Sequence, residues 1–390
     1  MTMSLDPVAV GAREAAGQGD GGPGDGGKLV FAFAGQGHQW AGMGRDLLRA
    51  EPVFRAAVER CDAAIAPHTG WSVVDRLTRD DAWPLMRRTD VLQPTLFTVQ
   101  VALAALWRSW GVVPDAVVGQ SMGEVAAAHV AGALTLEDAA TVQCRRGTLL
   151  QRISGRGTMA VVELPAAEAA ALIADTGGKA VVAGYGSPTT TVLSGDHDSL
   201  DAALARLAAT DVHARRIPDT APSHSPYVDE LRDDLRTALS GVRPRRAAVP
   251  LYSTVTLRRI EGPELTASYW IDNLREPVRF APAVRQLSCA GHGVFLEISA
   301  HPVLTEPIRQ CLEHAGHGGL ALPSLRRNAE LDTLRASRDA LRALGRAGPA
   351  HARHVGLTPY QAAVLPALFA ACGGERPAGA SSSAGRAGCG

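Results

Sequence analysis

The chain has almost no lysine: of its 39 Lys and Arg residues, only Lys28 and Lys179 are lysine. It also lacks an excess of either charge, since the 39 Lys and Arg are cancelled by 39 Asp and Glu. A general nucleic-acid binder carries a basic excess, so nucleic acid is not an expected partner. The arginine bias, beside many Ala and Gly, reflects a GC-rich genome and is not functional information. Cys61, Cys144, Cys289, Cys311, Cys372 and Cys389 form no Cys-x-x-Cys pair and are irregularly spaced. A reduced, cytoplasmic protein is expected. The N-terminus shows no charged-then-apolar export signal. No apolar run reaches membrane-span length; residues 99–107 come nearest and include Gln100, so no membrane partner is expected. No internal repeat is visible.

What remains is a chain of 390 residues, 46% of them hydrophobic, enough for a substantial core. Residues 1–27 read as a flexible Gly/Asp-rich leader and 373–390 as a flexible tail. Between them, 28–157 and 219–330 read as one discontinuous α/β domain. Its apolar strand candidates lie at 29–34, 115–118, 249–252 and 294–298, and its helical patterns at 42–66, 93–110, 122–134 and 136–152. Residues 158–218 change character: strand, helix, strand, strand, helix, strand. That order is a ferredoxin-like unit inserted in the larger domain. Leu331, Leu334, Leu341 and Leu344 mark one face of a helix within a C-terminal helical segment at 331–372.

The chemistry centres on Gly119-Gln120-Ser121-Met122-Gly123-Glu124, between the strand at 115–118 and the Ala-rich helix. A serine at a strand-to-helix turn, with glycine two residues away on each side, has the form of a nucleophile elbow. The helix start would aim backbone N–H groups at whatever reacts with Ser121. A serine hydroxyl needs a base to take its proton. Two loop histidines compete for that role: His224, in Ala221-Pro222-Ser223-His224, and His301, in Ser299-Ala300-His301-Pro302. No acidic third partner stands out. Cys311, His314 and His317 are spaced three apart but read as a frayed helix end, so no metal site is expected.

Five stretches in order carry a resemblance: FAFAGQGHQWAGMG at 31–44, DVLQPTLFTVQVALAALW at 90–107, GQSMGEVAAAHVAGALTLEDA at 119–139, APSHSP at 221–226 and YWIDNLREPVRF at 269–280. FLEISAHPVL at 295–304 is a weaker sixth. The chain resembles the malonyl-CoA:acyl-carrier-protein transacylase family, in particular the acyltransferase domains of polyketide synthases. The fold this implies is an α/β-hydrolase-like large domain with an inserted ferredoxin-like small domain. The resemblance makes Ser121 the acylated nucleophile and His224 its base, a dyad without a carboxylate. It assigns the oxyanion hole to the backbone N–H groups of Gln36 and Met122, and the orienting of His224 to the position of Asn273. Gln93 would line the pocket. Arg146, 25 residues after Ser121, would grip a free carboxylate on the acyl group, while Arg145 faces elsewhere. His301 becomes structural.

The departures from the family fall on the acyl pocket. Gln120 stands where His is usual, and Ala221-Pro222-Ser223 replaces a bulkier sequence before the catalytic histidine. Ala221 predicts a wider pocket and Pro222 a stiffer loop. Ala34, His38 and Gly186 also depart from the usual residues. The resemblance implies a ping-pong acyltransferase with no bound cofactor. It would take malonyl or a substituted malonyl from acyl-CoA to the phosphopantetheine thiol of a separate acyl carrier protein. The chain reads as a free-standing, trans-acting enzyme. The cluster Arg243, Arg245 and Arg246 is a candidate for docking the acidic carrier. The alternatives are transfer of a preformed chain between carriers, hydrolytic editing of carrier-bound acyl groups, and a non-catalytic docking scaffold.

Overall fold

The computed structural model describes residues 27–348, apart from 175, 177 and 219. The leader at 1–26, the end of the C-terminal segment at 349–372 and the tail at 373–390 lie outside the described residues. The chain opens with β1 (Leu29–Phe33), which is wholly buried. It reads as a continuous apolar run because both faces of its sheet are covered. Leu29, Phe31 and Phe33 pack into the larger hydrophobic cluster, while Val30, Ala32 and Ala34 pack on the other face against Phe280, Val284, Leu287 and Ile308.

Helices α1 (Arg45–Ala50), α2 (Pro52–Thr69) and α3 (Val73–Thr78) follow, then a 3-10 segment over Asp80–Arg87 and α4 (Thr89–Ser109). The single helical pattern read at 42–66 is broken because Glu51 is extended before Pro52. Proline disfavours a helical residue before it and suits the first position of a new helix. Helix α4 starts earlier than read. By length and apolar composition it could cross a membrane, but 89% of its apolar window is buried inside the protein. It is the core helix between α2 and the later α6. Its fully buried Gln100 donates to the Ala34 carbonyl at 2.7 Å and so holds the end of β1.

Strand β2 (Ala116–Gly119) leads through the elbow into α5 (Gly123–Val130), followed by α6 (Leu136–Arg152). The inserted unit is β3 (Thr158–Val162), α7 (Ala166–Ala174), β4 (Val181–Ser187), β5 (Thr190–Gly195), α8 (His197–Leu207) and β6 (Ala214–Ile217). Its strands form a separate antiparallel sheet in the order β4-β5-β3-β6. Val162, Ala169, Leu193, Leu200 and Ala203 form a core of its own. This is the expected ferredoxin-like insertion.

The large domain resumes with a 3-10 turn over Pro226–Leu231, α9 (Arg232–Ala238), β7 (Leu251–Tyr252), β8 (Arg259–Ile260), α10 (Ala267–Arg275) and α11 (Phe280–Cys289). It ends with β9 (Val294–Ile298), α12 (Thr305–His314), β10 (Leu320–Pro323) and α13 (Glu330–Ala343). The six-stranded sheet has the order β10-β9-β1-β2-β7-β8 and is parallel except for β7–β8. Along α13, Leu334 and Leu341 are buried, and Leu331 and Leu344 pack beside them. The two domains meet where Tyr185 N–H donates to the Val278 carbonyl at 2.8 Å and Val278 N–H to the Ala183 carbonyl at 2.9 Å. This pairing sets the edge of the small sheet over the carboxyl ends of β1 and β2, the end where α/β sheets bind ligands.

The elbow leaves no room for side chains at its two glycines. A Cβ on Gly119 would lie 2.3 Å from the Glu124 nitrogen, and one on Gly123 would lie 2.3 Å from the Phe33 carbonyl oxygen. Backbone atoms cannot yield as a flexible side chain does. Gly123→Ala should therefore destabilise the protein by about 1–3 kcal/mol, the usual cost of overpacking. Urea unfolding checks this, and an unchanged midpoint would show that β1 and α5 separate freely.

Candidate active site

Ser121 caps β2 with φ of 55°, and His224 has φ of 56°. They are two of only four non-glycine residues with positive φ among the described residues. Such backbone is uncommon outside glycine and persists where the surroundings hold it. Here the surroundings do so. The His224 N–H donates to the Leu274 carbonyl at 2.9 Å, and the Glu124 N–H to the Ser121 carbonyl at 3.0 Å.

The two side chains meet, with Ser121 Oγ 2.8 Å from His224 Nε2. The other ring nitrogen, Nδ1, lies 2.9 Å from the Glu276 carbonyl oxygen. A carbonyl only accepts, so Nδ1 carries the proton and Nε2 is left as acceptor for the serine hydroxyl. This corrects the expectation for Asn273. The carbonyl that orients the histidine belongs to Glu276, just past the end of α10, where helix carbonyls lack intrahelical partners. Burial first, and then the charge of Arg146, push the His224 pKa down to about 3. The imidazole is therefore neutral and able to accept a proton across the ordinary pH range.

Arg146, on α6, is 2% exposed, while Arg145 beside it faces solvent. One guanidinium nitrogen, Nη2, donates to Ser121 Oγ at 2.7 Å, and the other, Nη1, donates to Asn273 Oδ1. Its Nε is buried with no acceptor. Asn273 Nδ2 donates to Glu124 Oε2 at 2.6 Å and to the Ser121 carbonyl at 3.3 Å. Asn273 thus ties the Ser121 backbone to the arginine. Glu124, the last residue of the elbow motif, is 2% exposed. It had no role in the reading of the sequence, although it stood inside the motif. Burial lowers the Arg146 pKa to about 10, and Glu124 opposes that shift.

In front of Ser121 and His224 lies a cleft of about 700 Å³, part of it open to solvent. Gln36, Gln93, Gln120, Met122, Ala221 and Ser223 line it. Met122 immediately precedes α5, so its N–H has no intrahelical acceptor. Gln120 turns its amide oxygen to the Gly35 N–H at 3.2 Å and so braces the loop that carries Gln36. Pro222 is a correction: it is buried but turned away from the cleft, its Cβ 3.0 Å from where a Cβ on Gly157 would sit. It stiffens the loop without touching the cavity. Arg146 likewise is not on the open wall; it reaches Ser121 from behind. The wall contributed by the small domain was not read from the sequence. Met159 and Ile217 are cross-strand partners on β3 and β6, and both line the cleft with Val192, Ala183 and Val278. Alternation along these strands marks which residues share a face, but not that the face covers a site.

Other candidates fall elsewhere. His301 accepts the Arg327 N–H at 3.2 Å and does not line the cleft. Among the described residues no group of three or more His, Cys, Asp or Glu is placed to hold a metal, and His317 pairs with Ser288. Arg243, Arg245 and Arg246 are exposed, but they precede β7, at the opposite end of the parallel sheet from Ser121. Arg246 is paired there with Glu261. A carrier docked on this cluster would face the wrong end of the sheet.

The family model for the acyl transferase domain matches residues 30–351. The chain belongs to the acyl transferase domain family. It is 47% identical over 302 residues to the spectinabilin polyketide synthase system protein NorA of Streptomyces orinoci, covering 77% of this chain and 16% of that protein. Against erythronolide synthase EryA3 of Saccharopolyspora erythraea it is 47% identical over 320 residues, covering 81% of this chain and 10% of that protein. The chain thus spans only a small part of these relatives. Among solved structures, the acyltransferase domain from module 8 of the salinomycin polyketide synthase matches with a TM-score of 0.78 at 42% identity, covering 82% of this chain and 75% of that one. The malonyl CoA-acyl carrier protein transacylase of Coxiella burnetii matches with a TM-score of 0.72 at 25% identity, covering 83% of this chain and 98% of that one. The chain is therefore an acyltransferase domain of the polyketide synthase kind, related to that transacylase.

For this acyltransferase domain the buried imidazole has a kinetic consequence. Protonating His224 would remove the acceptor for the Ser121 proton, so a reaction that relies on that acceptor should fall only as pH approaches about 3. The second-order acylation rate should stay level from pH 8 to about pH 5 while circular dichroism reports a folded chain. An acid limb centred near the ordinary histidine value would contradict the buried, neutral ring.

Proposed function

We propose that this domain moves malonyl or a substituted malonyl group from CoA to the phosphopantetheine thiol of an acyl carrier protein, through an ester on Ser121. The observation that carries this is the 2.8 Å contact between Ser121 Oγ and a His224 ring whose other nitrogen is held by a carbonyl. Ser121 Oγ attacks the thioester carbonyl carbon as its proton passes to His224 Nε2. The negative oxygen that forms is met by the N–H groups of Gln36 and Met122. Each such donor typically contributes ~10²–10³ in rate. The carbon–sulfur bond then breaks, and CoA departs with the proton from His224. In the second half, the carrier thiol gives its proton to His224 and attacks the acyl-serine. The carbon–oxygen bond breaks and Ser121 regains its hydroxyl. No cofactor enters either half.

Arg146 gives the reading its substrate class. In the free enzyme its Nη2 uses the serine hydroxyl as acceptor, and its Nε has none. A carboxylate is a stronger acceptor than a hydroxyl and displaces it from Nη2 as the donor binds. Nε and Nη2 then present the paired donors that suit a carboxylate. The apolar wall of Met159, Val192, Ile217 and Val278, with the small Ala221, leaves room for a substituent beside that carboxylate. The cysteines Cys61, Cys144, Cys289 and Cys311 are unpaired, which supports a reducing, cytoplasmic setting.

Intact-protein mass spectrometry after exposure to a panel of acyl-CoAs should show one acyl adduct, absent in Ser121→Ala. An adduct that survives in Ser121→Ala would overturn the mechanism. The lifetime of the adduct in buffer, with and without carrier, separates transfer from hydrolysis. Arg146→Ala should slow acylation by a carboxylated donor roughly 10- to 100-fold more than acylation by its uncharged analogue, the span of a lost charged hydrogen bond. Rate constants for methylmalonyl-CoA against propionyl-CoA, or malonyl-CoA against acetyl-CoA, measure this directly.

A further inference from the structure

We propose that Glu124 and Asn273 are positioning residues that hold the Arg146 guanidinium ready for a carboxylated acyl group. Selectivity for such donors then depends on two side chains that do not line the cleft. The inference rests on the reading of Arg146 as the carboxylate anchor. Its grounds are the hydrogen-bond inventory beneath Ser121.

Glu124 receives four donors. The Thr254 N–H reaches Oε1 at 2.5 Å and the Thr254 hydroxyl reaches it at 2.9 Å. Tyr269 OH reaches Oε2 at 2.9 Å, and Asn273 Nδ2 reaches it at 2.6 Å. Burial raises the Glu124 pKa, and these hydrogen bonds from Thr254, Tyr269 and Asn273 oppose that shift by favouring the anion. Three of those donors are spent inside the large domain, which fixes Glu124 in place. The fourth, Asn273, passes that order outward.

Asn273 can sit only one way round. Its amide N–H groups face the Glu124 carboxylate and the Ser121 carbonyl, and its oxygen faces the Arg146 guanidinium. Flipped, it would aim N–H at a cation and oxygen at an anion. The guanidinium in turn has one end on Asn273 and the other on Ser121 Oγ, with Nε unpartnered. A free arginine side chain has many rotamers, and ordering it costs entropy at the moment of binding. Glu124 and Asn273 meet that cost before the donor arrives, which is preorganisation. Glu124 also balances a guanidinium that burial would otherwise disfavour.

The test compares Arg146→Ala, Glu124→Gln and Asn273→Ala on a donor pair that differs by one carboxylate, such as methylmalonyl-CoA and propionyl-CoA. The readout is the ratio of the two second-order acylation rate constants, with saturation constant and maximal rate resolved for each donor. A merely structural role slows both donors alike and leaves the ratio unmoved. The expected result is that Glu124→Gln and Asn273→Ala each reduce the wild-type preference tenfold or more, mainly through the saturation constant of the carboxylated donor. If Arg146→Ala abolishes the preference and the other two variants leave it intact, the positioning role is overturned and the anchor stands. If Arg146→Ala itself leaves the preference intact, the anchor fails and this inference fails with it. Should Glu124→Gln not fold, Asn273→Ala, which leaves both charges in place, decides the question alone.

Discussion

A guanidinium buried beneath a serine needs an opposite charge within reach. Removing one partner of a buried ion pair typically costs about 3–5 kcal/mol, because the other is left uncompensated. Here Arg146 and Glu124 do not touch directly; Asn273 stands between them and also holds the Ser121 carbonyl. The arrangement therefore links three things: the charge behind the Ser121 side chain, the left-handed backbone of that residue, and the start of α5. Tyr269 and Asn273 on α10, and Thr254 in the segment after β7, complete it. The second half of the large domain is thus bound to the first at the point where the chemistry occurs.

The same helix serves His224. The Leu274 carbonyl on α10 and the Glu276 carbonyl just past its end hold His224 by its backbone and its ring. A backbone carbonyl sets the tautomer without adding a charge to the site. With Arg146 already there, a carboxylate in that place would form a second ion pair, and the neutral imidazole would gain a reason to protonate. The small domain contributes differently. Paired with Val278 through β4, it closes over the dyad and supplies an apolar wall. The polar machinery lies in the large domain, and much of the shape comes from the small one.

Much of this was legible in the chain. The glycines around Ser121 are forced by atoms 2.3 Å from where their Cβ would lie, so the motif is a steric necessity and reads as one. The βαββαβ pattern of the insertion is visible because each element is short and its periodicity is local. His224 could be narrowed to two candidates, and resemblance chose it over His301. The histidine-holding carbonyl was placed at Asn273, but it belongs to Glu276, three residues on; resemblance located the end of α10 without fixing which of its carbonyls faces the ring. Glu124 was overlooked because a buried carboxylate and an exposed one look the same in a sequence. Pro222 was read as a pocket residue because the resemblance sets its tetrapeptide at the pocket, yet it does not line the cleft.

From the chain alone come the main strands, the inserted unit and the elbow serine, since these depend on spacing of apolar residues and on the absence of side chains at two glycines. Folding adds what depends on residues far apart in the chain. Ser121 and His224 are 103 positions apart, and Arg146 and Asn273 are 127 apart. The tautomer of His224, the neutral state of its ring and the orientation of Arg146 follow from such long-range contacts and from the loss of water around them. Burial and mutual orientation are properties of the packed molecule, and no local pattern encodes them.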